Sequence, residues 1–484
     1  MIKQECQRVG VIDVGSNSVR LVVFDGVARS PAYFFNEKVL CGLGKGLAES
    51  GMLSPEGRVR ALAALKRFAL LLENMGVEKV STVATAAVRE AADGPDFCAE
   101  VLAETGISLY VASGEEEARL SAQGVLLGWP DANGLVCDIG GASMELARLR
   151  AGLVGQRATS PLGPLKLADF RGDRAAHIRE TVAETMAAVQ APEGEKLFLV
   201  GGSWRALARL DMARRGYPLH VLHEYAMSAE QMAETSVWAA GQEAQALDGL
   251  TDTSMARLKL VPLAAEVMQG LMAVLKPSEI AISSYGIREG MLFEAMPPAM
   301  RGLDPLIEAC RYMEATNARF PGFGDALYDW LKGLFPAVDA RLVRAACLLH
   351  DTTWRAHPDY RADMCFETVT RANMGGIDHQ GRLFLAWAIR SRYNSGKAGQ
   401  GDTLALLPKA AIETARSLGL AMRLGAMISG AQAVMLQDTA LAVKGNEVLL
   451  VLNGKAKALL GEVLEKRFQN LAKAMGLVPV LDLR

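Results

Sequence analysis

The chain has 484 residues, 50% hydrophobic and 22% charged, enough for roughly three domains with cores of their own and too apolar for a disordered polymer. A formal net charge of −2 argues against wholesale coating of nucleic acid but leaves room for a local basic channel. Seven scattered cysteines (Cys6, Cys41, Cys98, Cys137, Cys310, Cys347, Cys365), never in Cys-x-x-Cys spacing, exclude a zinc ribbon and fit buried thiols in a reducing compartment. No signal-peptide pattern and no run approaching the ~18 apolar residues that span a bilayer is evident, so a cytoplasmic address without membrane or nucleic-acid partners is expected.

Val9 to Val14 and Val19 to Asp25 are dense in β-branched residues and read as a hairpin around Gly15-Ser16-Asn17-Ser18. Ser54-Pro55 then supplies a helix cap and first-turn proline. Val59, Leu62, Leu65 and Leu72 recur at helical spacing up to Asn74-Met75-Gly76. Lys79 to Thr82 and Ile107 to Val111 read as strands separated by a helix around Asp96 to Glu104, giving an α/β first domain over residues 1–130. The connector Asp131-Ala132-Asn133-Gly134 opens a second α/β domain, 131–300. Leu135 to Asp138, a glycine turn and Met144 to Leu149 repeat the opening logic there, as a duplication would. Lys196 to Val200 runs into Gly201-Gly202-Ser203, and Ile280 to Ile282 runs into Ser283-Ser284-Tyr285-Gly286, two strand ends of the kind where ligands sit. After Pro297-Pro298 the periodicity turns helical, as in Ala340 to His350 and Arg382 to Ser391. A hairpin signal at Val443 to Glu447 interrupts the third, mostly helical domain, 301–484.

The two Asp-x-Gly turns, Asp13 to Ser18 and Asp138 to Ser143, carry the strongest chemical signal. Glycine permits φ > 0 and close backbone approach, exposed N–H groups and small hydroxyls face anionic oxygens, and the aspartate can hold a cation. The implied ligand is a metal-bridged phosphate. Asp138 and Glu145 flank the second turn and can point at one hard cation. Among Glu115, Glu116 and Glu117, the capping-box pattern Ser113-x-x-Glu116 commits Glu116 to the backbone and leaves Glu117 free for chemistry. All three could equally complement a helix dipole.

Five ordered motifs resemble the exopolyphosphatase and guanosine pentaphosphate phosphohydrolase (Ppx/GppA) family, within the sugar kinase, Hsp70 and actin superfamily. They are Val11 to Leu21, Ala86-Ala87-Val88-Arg89, Ser113 to Leu120, Asp138 to Leu146, and Gly286-Ile287-Arg288-Glu289-Gly290. The resemblance implies an α/β fold of two ribonuclease-H-like, actin-like domains facing across a cleft, followed by a mostly helical HD-like C-terminal domain. It implies release of orthophosphate from the end of inorganic polyphosphate, with Glu117 as the base that deprotonates water and Arg89 as a clamp on the phosphate. Magnesium would be held by Asp138 and Glu145 with an outer-sphere contact from Asp13, and potassium is a second candidate cation. Phosphate would be gripped by Gly15, Ser16, Asn17 and Ser18 and by Gly140, Gly141, Ala142 and Ser143, with Gly201, Gly202, Ser203 and Gly286 as secondary contacts. Lys45, Lys166 and Arg205 would line the approach, and the protein would be a homodimer.

The chain departs from the family's Gly-Gly-Gly-Ser-Thr-Glu pattern at Ala142 and Met144. The first is tolerable at negative φ, and the second removes a hydroxyl that could touch metal-bound water or phosphate. Hydrolysis of guanosine pentaphosphate to the tetraphosphate uses the same apparatus and stays open, as does a non-catalytic sensor of alarmones or nucleotides. A sugar kinase is disfavoured because no separate sugar-binding signature is evident. His350-Asp351, with His357 and His379, resembles the dyad of His-Asp metal phosphohydrolases, but the third domain has no histidine upstream to complete a ligand set. A vestigial fold for substrate reach or dimer contacts is the expectation.

Overall fold

The computed structural model describes residues 7–394 and 401–484. The chain divides between Leu303 and Asp304 into two compact units. In the first unit, β1 (Val9–Val14), β2 (Ser18–Phe24), β3 (Tyr33–Leu40) and β4 (Lys79–Ala84) form a sheet in the order β3-β2-β1-β4. A second sheet of β5 (Gly134–Ile139), β6 (Met144–Arg150), β7 (Leu153–Ser160), β8 (Leu197–Val200), β9 (Ala226–Met227) and β10 (Ile280–Ile282) runs β7-β6-β5-β8-β10-β9. Its first four strands repeat the first sheet's order. In both sheets the opening strand pairs antiparallel with the next strand and parallel with the later one. This is the ribonuclease-H-like pair expected from the motifs.

The strand alternation decides the layering, because successive side chains point to opposite faces. From β1, Ile12 and Val14 enter an outer core with Leu65, Phe68 and Phe97, whereas Val9 and Val11 enter a central core with Val125, Phe198 and Leu292. That central core lies between the sheets and contains helices Gly114–Gly128 and Ile287–Ala295. The two helices meet at backbone distance. A methyl group on Gly290 would overlap the carbonyl of Leu120, and one on Gly124 would lie 2.9 Å from the Cα of Gly286. A third core, behind the second sheet, takes Cys137, Ile139 and Met144 together with Trp204 and Leu271.

Three local expectations need correction. Ile107 to Val111 is extended but joins the sheet through one bridge, Ala84 to Val111, because only Tyr110 and Ala112 exchange backbone bonds with Ala84. The helix Pro55–Asn74 starts as read, with the Ser54 side chain accepting from the N–H of Gly57. At Ser113, however, the capping box is half made. Its side chain accepts from the N–H of Glu116 at 3.1 Å, but the Glu116 carboxylate turns to Arg119, a charged partner one turn along, at 2.9 Å. Finally, Met255–Leu275 does reach bilayer-crossing length and apolarity, with a mean hydropathy of 1.5. Its apolar face, including Val261, Ala264, Val267, Met268 and Leu271, is packed in the core behind the second sheet.

The second unit is mostly helical, with Ala340–Leu349, Arg361–Arg371, His379–Tyr393, Lys409–Ser429 and Glu462–Met475 as its longer helices after Pro305–Asn317. The expected hairpin is β11 (Thr439–Lys444) and β12 (Glu447–Leu452), turned at Gly445-Asn446 and joined in parallel by β13 (Val478–Leu483). The six described cysteines are free thiols, and Cys6 lies outside the described residues.

Candidate functional site

The two Asp-x-Gly turns are built alike. Gly15 N–H donates to Ser18 O at 3.0 Å, and Gly140 N–H donates to Ser143 O at 2.9 Å. Neither Gly15, Gly140 nor Gly141 has positive φ, contrary to the sequence argument. Space is the reason for glycine here, since a Cβ on Gly141 would lie 2.9 Å from Leu165 and 3.8 Å from Ser16 of the opposite turn. Gly201 is the position where conformation matters. Its φ is 110°, and a side chain would press on Ile139 O and Asp138 Oδ1, at 2.6 and 2.9 Å. Ala142 keeps negative φ and lines the cleft, so that departure is accommodated.

The turns face each other across a cleft of about 210 Å³. Asp13, Gly15, Ser16, Asn17, Ser18, Glu117, Asp138, Gly140, Gly141, Ala142, Ser143, Glu145, Gly201, Gly202 and Gly286 all line it. Ser203 does not. Gly202 opens a helix, and the next residue is rotated into the core, 1% exposed. Lys45 and Lys166 are not in the lining either, and Lys166 instead pairs with Glu90 at 2.8 Å. Met144 is fully buried and packs behind the sheet, so its side chain has no route to the cleft.

Among the lining acids, Glu117 and Asp138 both act on Glu145. Asp138 and Glu145 are register partners on β5 and β6. Asp138 accepts from the Ser121 hydroxyl, and Glu145 accepts from Thr159 at 3.2 Å. Burial, reinforced by the negative charges of Glu117 and Asp138, pushes the Glu145 carboxyl well above the carboxylate range. Burial raises Glu117 to about 7 against the opposing pull of Arg89. Three desolvated carboxylates that raise one another's proton affinity form a site short of positive charge, and an all-oxygen donor set suits a hard divalent ion.

Two sequence readings change here. Arg89 is absent from the cleft lining. Its guanidinium donates to Glu117 and to Ala112 O, the latter at 2.7 Å, so in this structure it holds the glutamate. Asp13 is paired with Arg288 at 3.1 Å, which already supplies its countercharge. Among the described residues no three His, Cys, Asp or Glu side chains form a ready-made metal cage, so Asp13 does not complete one with Asp138 and Glu145.

The same cleft is lined by an arc of cations of which sequence reasoning had singled out only Arg205: Arg20, Lys38, Arg205, Arg257 and Arg288. Arg20 is the register partner of Asp13, as Glu145 is of Asp138, so duplicated positions carry opposite charges. Lys38, Arg205 and Arg257 take part in none of the ion pairs among the described residues. Burial and then the neighbouring guanidinium groups, Arg257 first, lower Lys38 to about 8. Arg205 falls to about 10, through burial and then Arg288. The arc therefore demands anionic charge as the acids demand cationic charge.

In the helical unit the His-Asp dyad is occupied by side chains. Asp351 is gripped by Arg319 at 2.7 and 2.8 Å and lies 3.5 Å from Arg392, while His350 Nδ1 contacts Cys347 O at 2.8 Å. Burial and then the Arg392 charge drive His350 down to about 3, so its ring is neutral. The two arginines supply the countercharge that a metal would provide.

Comparison with known proteins agrees with this geometry. Residues 22–299 match the model of the Ppx/GppA phosphatase family, and residues 306–479 match that of the exopolyphosphatase C-terminal region. Exopolyphosphatase 1 of Mycobacterium tuberculosis is 34% identical over 143 residues, and that of Mycobacterium leprae is 33% identical. Each alignment covers 29% of this chain and 42% of the mycobacterial protein. An exopolyphosphatase structure from Cytophaga hutchinsonii superposes with a TM-score of 0.54 at 24% identity, covering 62% of this chain and 99% of that one. A Ppx/GppA member from Aquifex aeolicus gives 0.52 at 23%, covering 60% and 97%. These structures share the actin-like fold of the two sheets. With a family model spanning both sheets and a second covering the helical unit, the chain belongs to the Ppx/GppA phosphatase family.

Proposed function

We propose that this chain is an exopolyphosphatase that releases orthophosphate from the end of inorganic polyphosphate. The observation that carries this reading is the make-up of the cleft: three mutually interacting carboxylates and five cations share one lining, with no aromatic ring among the lining residues. A linear phosphate chain matches that arrangement, with its terminal group at the acids and the next groups on the arc. A guanine base would find no ring on which to stack.

Removing a terminal phosphoryl group needs charge neutralisation, an aligned water and a base. Glu117, raised to about 7, is poised to take the water's proton near neutral pH. Arg89 keeps that carboxylate oriented. Backbone N–H groups of the two turns and the Arg205, Arg257 and Arg288 guanidinium groups hold phosphate oxygens. Asp138 and Glu145 fit magnesium by donor chemistry and by their mutual repulsion; when bound it would neutralise charge on the phosphoryl oxygens.

Phosphate release from long polyphosphate, tripolyphosphate and guanosine pentaphosphate, with magnesium or with chelator, tests the proposal. Magnesium-dependent release from polyphosphate is expected. Release from guanosine pentaphosphate alone would transfer the chain to the alarmone reading, and binding without release would make it a sensor.

A further inference from the structure

Glu289 follows Arg288 in the chain but does not line the cleft, and it is buried, at 1% exposure. It is the third residue of helix Ile287–Ala295, and both of its carboxylate oxygens are engaged. Oε2 accepts from the Gly286 N–H at 2.8 Å, and Oε1 accepts from the Tyr33 hydroxyl at 3.0 Å. The first bond closes the turn that presents Gly286 to the cleft, and the second ties that turn to β3. A glutamine would satisfy the same two partners, because its carbonyl accepts from an N–H and its amide donates to a hydroxyl. Hydrogen bonding alone therefore does not account for a carboxylate in a place where burying charge is costly.

The neighbouring cations account for it. Glu289 takes part in none of the ion pairs among the described residues, so its charge is not spent on one partner. Burial works against the charge of Arg288, and Glu289 is the foremost group supporting it, ahead of Asp13. In Arg20 and Arg205, burial and then Arg288 work against the charge, and Glu289 is again the foremost group opposing them. One buried anion thus acts on three of the five cations in the arc, and no oxyanion in the cleft has to displace it.

We propose that Glu289 is a positioning residue acting through the arc: its buried negative charge, held by Gly286 and Tyr33, limits how tightly the cleft grips an anion, so that orthophosphate leaves after each cleavage. The inference rests on reading the cleft as a phosphate site. It adds to that reading a residue that touches neither substrate nor product.

Calorimetric binding of sodium orthophosphate to the full chain in chelator tests this without turnover, and KM for tripolyphosphate tests it with turnover. Glu289→Gln, which keeps both hydrogen bonds and removes the charge, is expected to lower the orthophosphate Kd about tenfold and to lower KM in parallel. Glu289→Ser, which leaves room for water beside the Gly286 N–H, removes the charge a second way and should shift Kd in the same direction. Tyr33→Phe removes one bond and keeps the charge, so its Kd should stay within about twofold of wild type. Unchanged or weaker orthophosphate binding in the neutral variants overturns the proposal, as does a shift in Tyr33→Phe equal to that in Glu289→Gln, since either would make Glu289 a structural cap only. Failure of both neutral variants to fold even with orthophosphate present also overturns it, because an arc deprived of its counter-charge should accept the anion instead. Tighter orthophosphate binding in the neutral variants, with no phosphate released from tripolyphosphate by the wild type in magnesium, supports this role for Glu289 and defeats the exopolyphosphatase reading alone.

Discussion

Arg89 donates to the carboxylate of Glu117 and to the carbonyl of Ala112, fixing the glutamate from behind the cleft wall. The pair sets the ionisation of Glu117, since burial raises its pKa and Arg89 pulls it down. A base works only when ionised, so removing Arg89 must move the acid limb of the pH–rate profile toward alkaline pH. For Arg89→Met a displacement of at least about one pH unit is expected, with KM for polyphosphate little changed. Steady-state rates across pH 5.5 to 9 check this. A large rise in KM at constant pH profile would return Arg89 to the phosphate.

Arg205 and Arg257 line the cleft and take part in none of the ion pairs among the described residues. Replacing either with glutamine should raise KM for tripolyphosphate by about tenfold, as expected for one charge-assisted contact, with a smaller effect on kcat. The wild-type KM should climb with salt more steeply than that of the double variant. Kinetics at two salt concentrations decide the matter.

Met144 stands where the family has a threonine, yet its side chain is buried among Leu146, Trp204 and their neighbours. Met144→Thr therefore restores no contact in the cleft. It should cost about 2–4 kcal/mol by shortening a core side chain and burying a hydroxyl, with no gain in kcat. Urea unfolding and initial rates measure both halves of this expectation.

His350 makes the helical unit sensitive to acid. In the unfolded chain the imidazole takes a proton near 6.5, whereas burial holds it neutral in the fold down to about 3. Stability from this group is complete above pH 6.5 and declines as pH falls toward 3, by about 1.4 kcal/mol per pH unit. Denaturant titrations at pH 7.5, 6 and 5 should show that decline. His350→Gln should be less stable at pH 7.5 but have a shallower dependence between the three.

What was legible in the sequence was what neighbouring residues determine. The twin turns, the Glu117 helix start and the strand ends at Gly201 and Gly286 are short patterns whose chemistry is local. Of the cation arc only Arg205 was legible, because Arg20, Lys38, Arg257 and Arg288 come from separate segments and converge only when the sheets pack. Ser203 was misassigned because a helix begins at Gly202 and turns the next side chain inward. The Glu117 partner of Arg89 was not legible because the position of Arg89 near the site is encoded locally, whereas the direction of its guanidinium depends on the Ser113–Glu117 turn.

The glycine contact between helices Gly114–Gly128 and Ile287–Ala295 has a mechanical corollary. One helix carries Glu117 and the other Arg288, and with no side chains between their backbones there is no compliant layer to absorb relative sliding. Glu117 and Arg288, the proposed proton acceptor and anion contact, thus belong to one stiff part. Whatever opening admits a substrate has to leave their spacing intact, and a Gly290→Ala exchange would disturb the alignment of both at once.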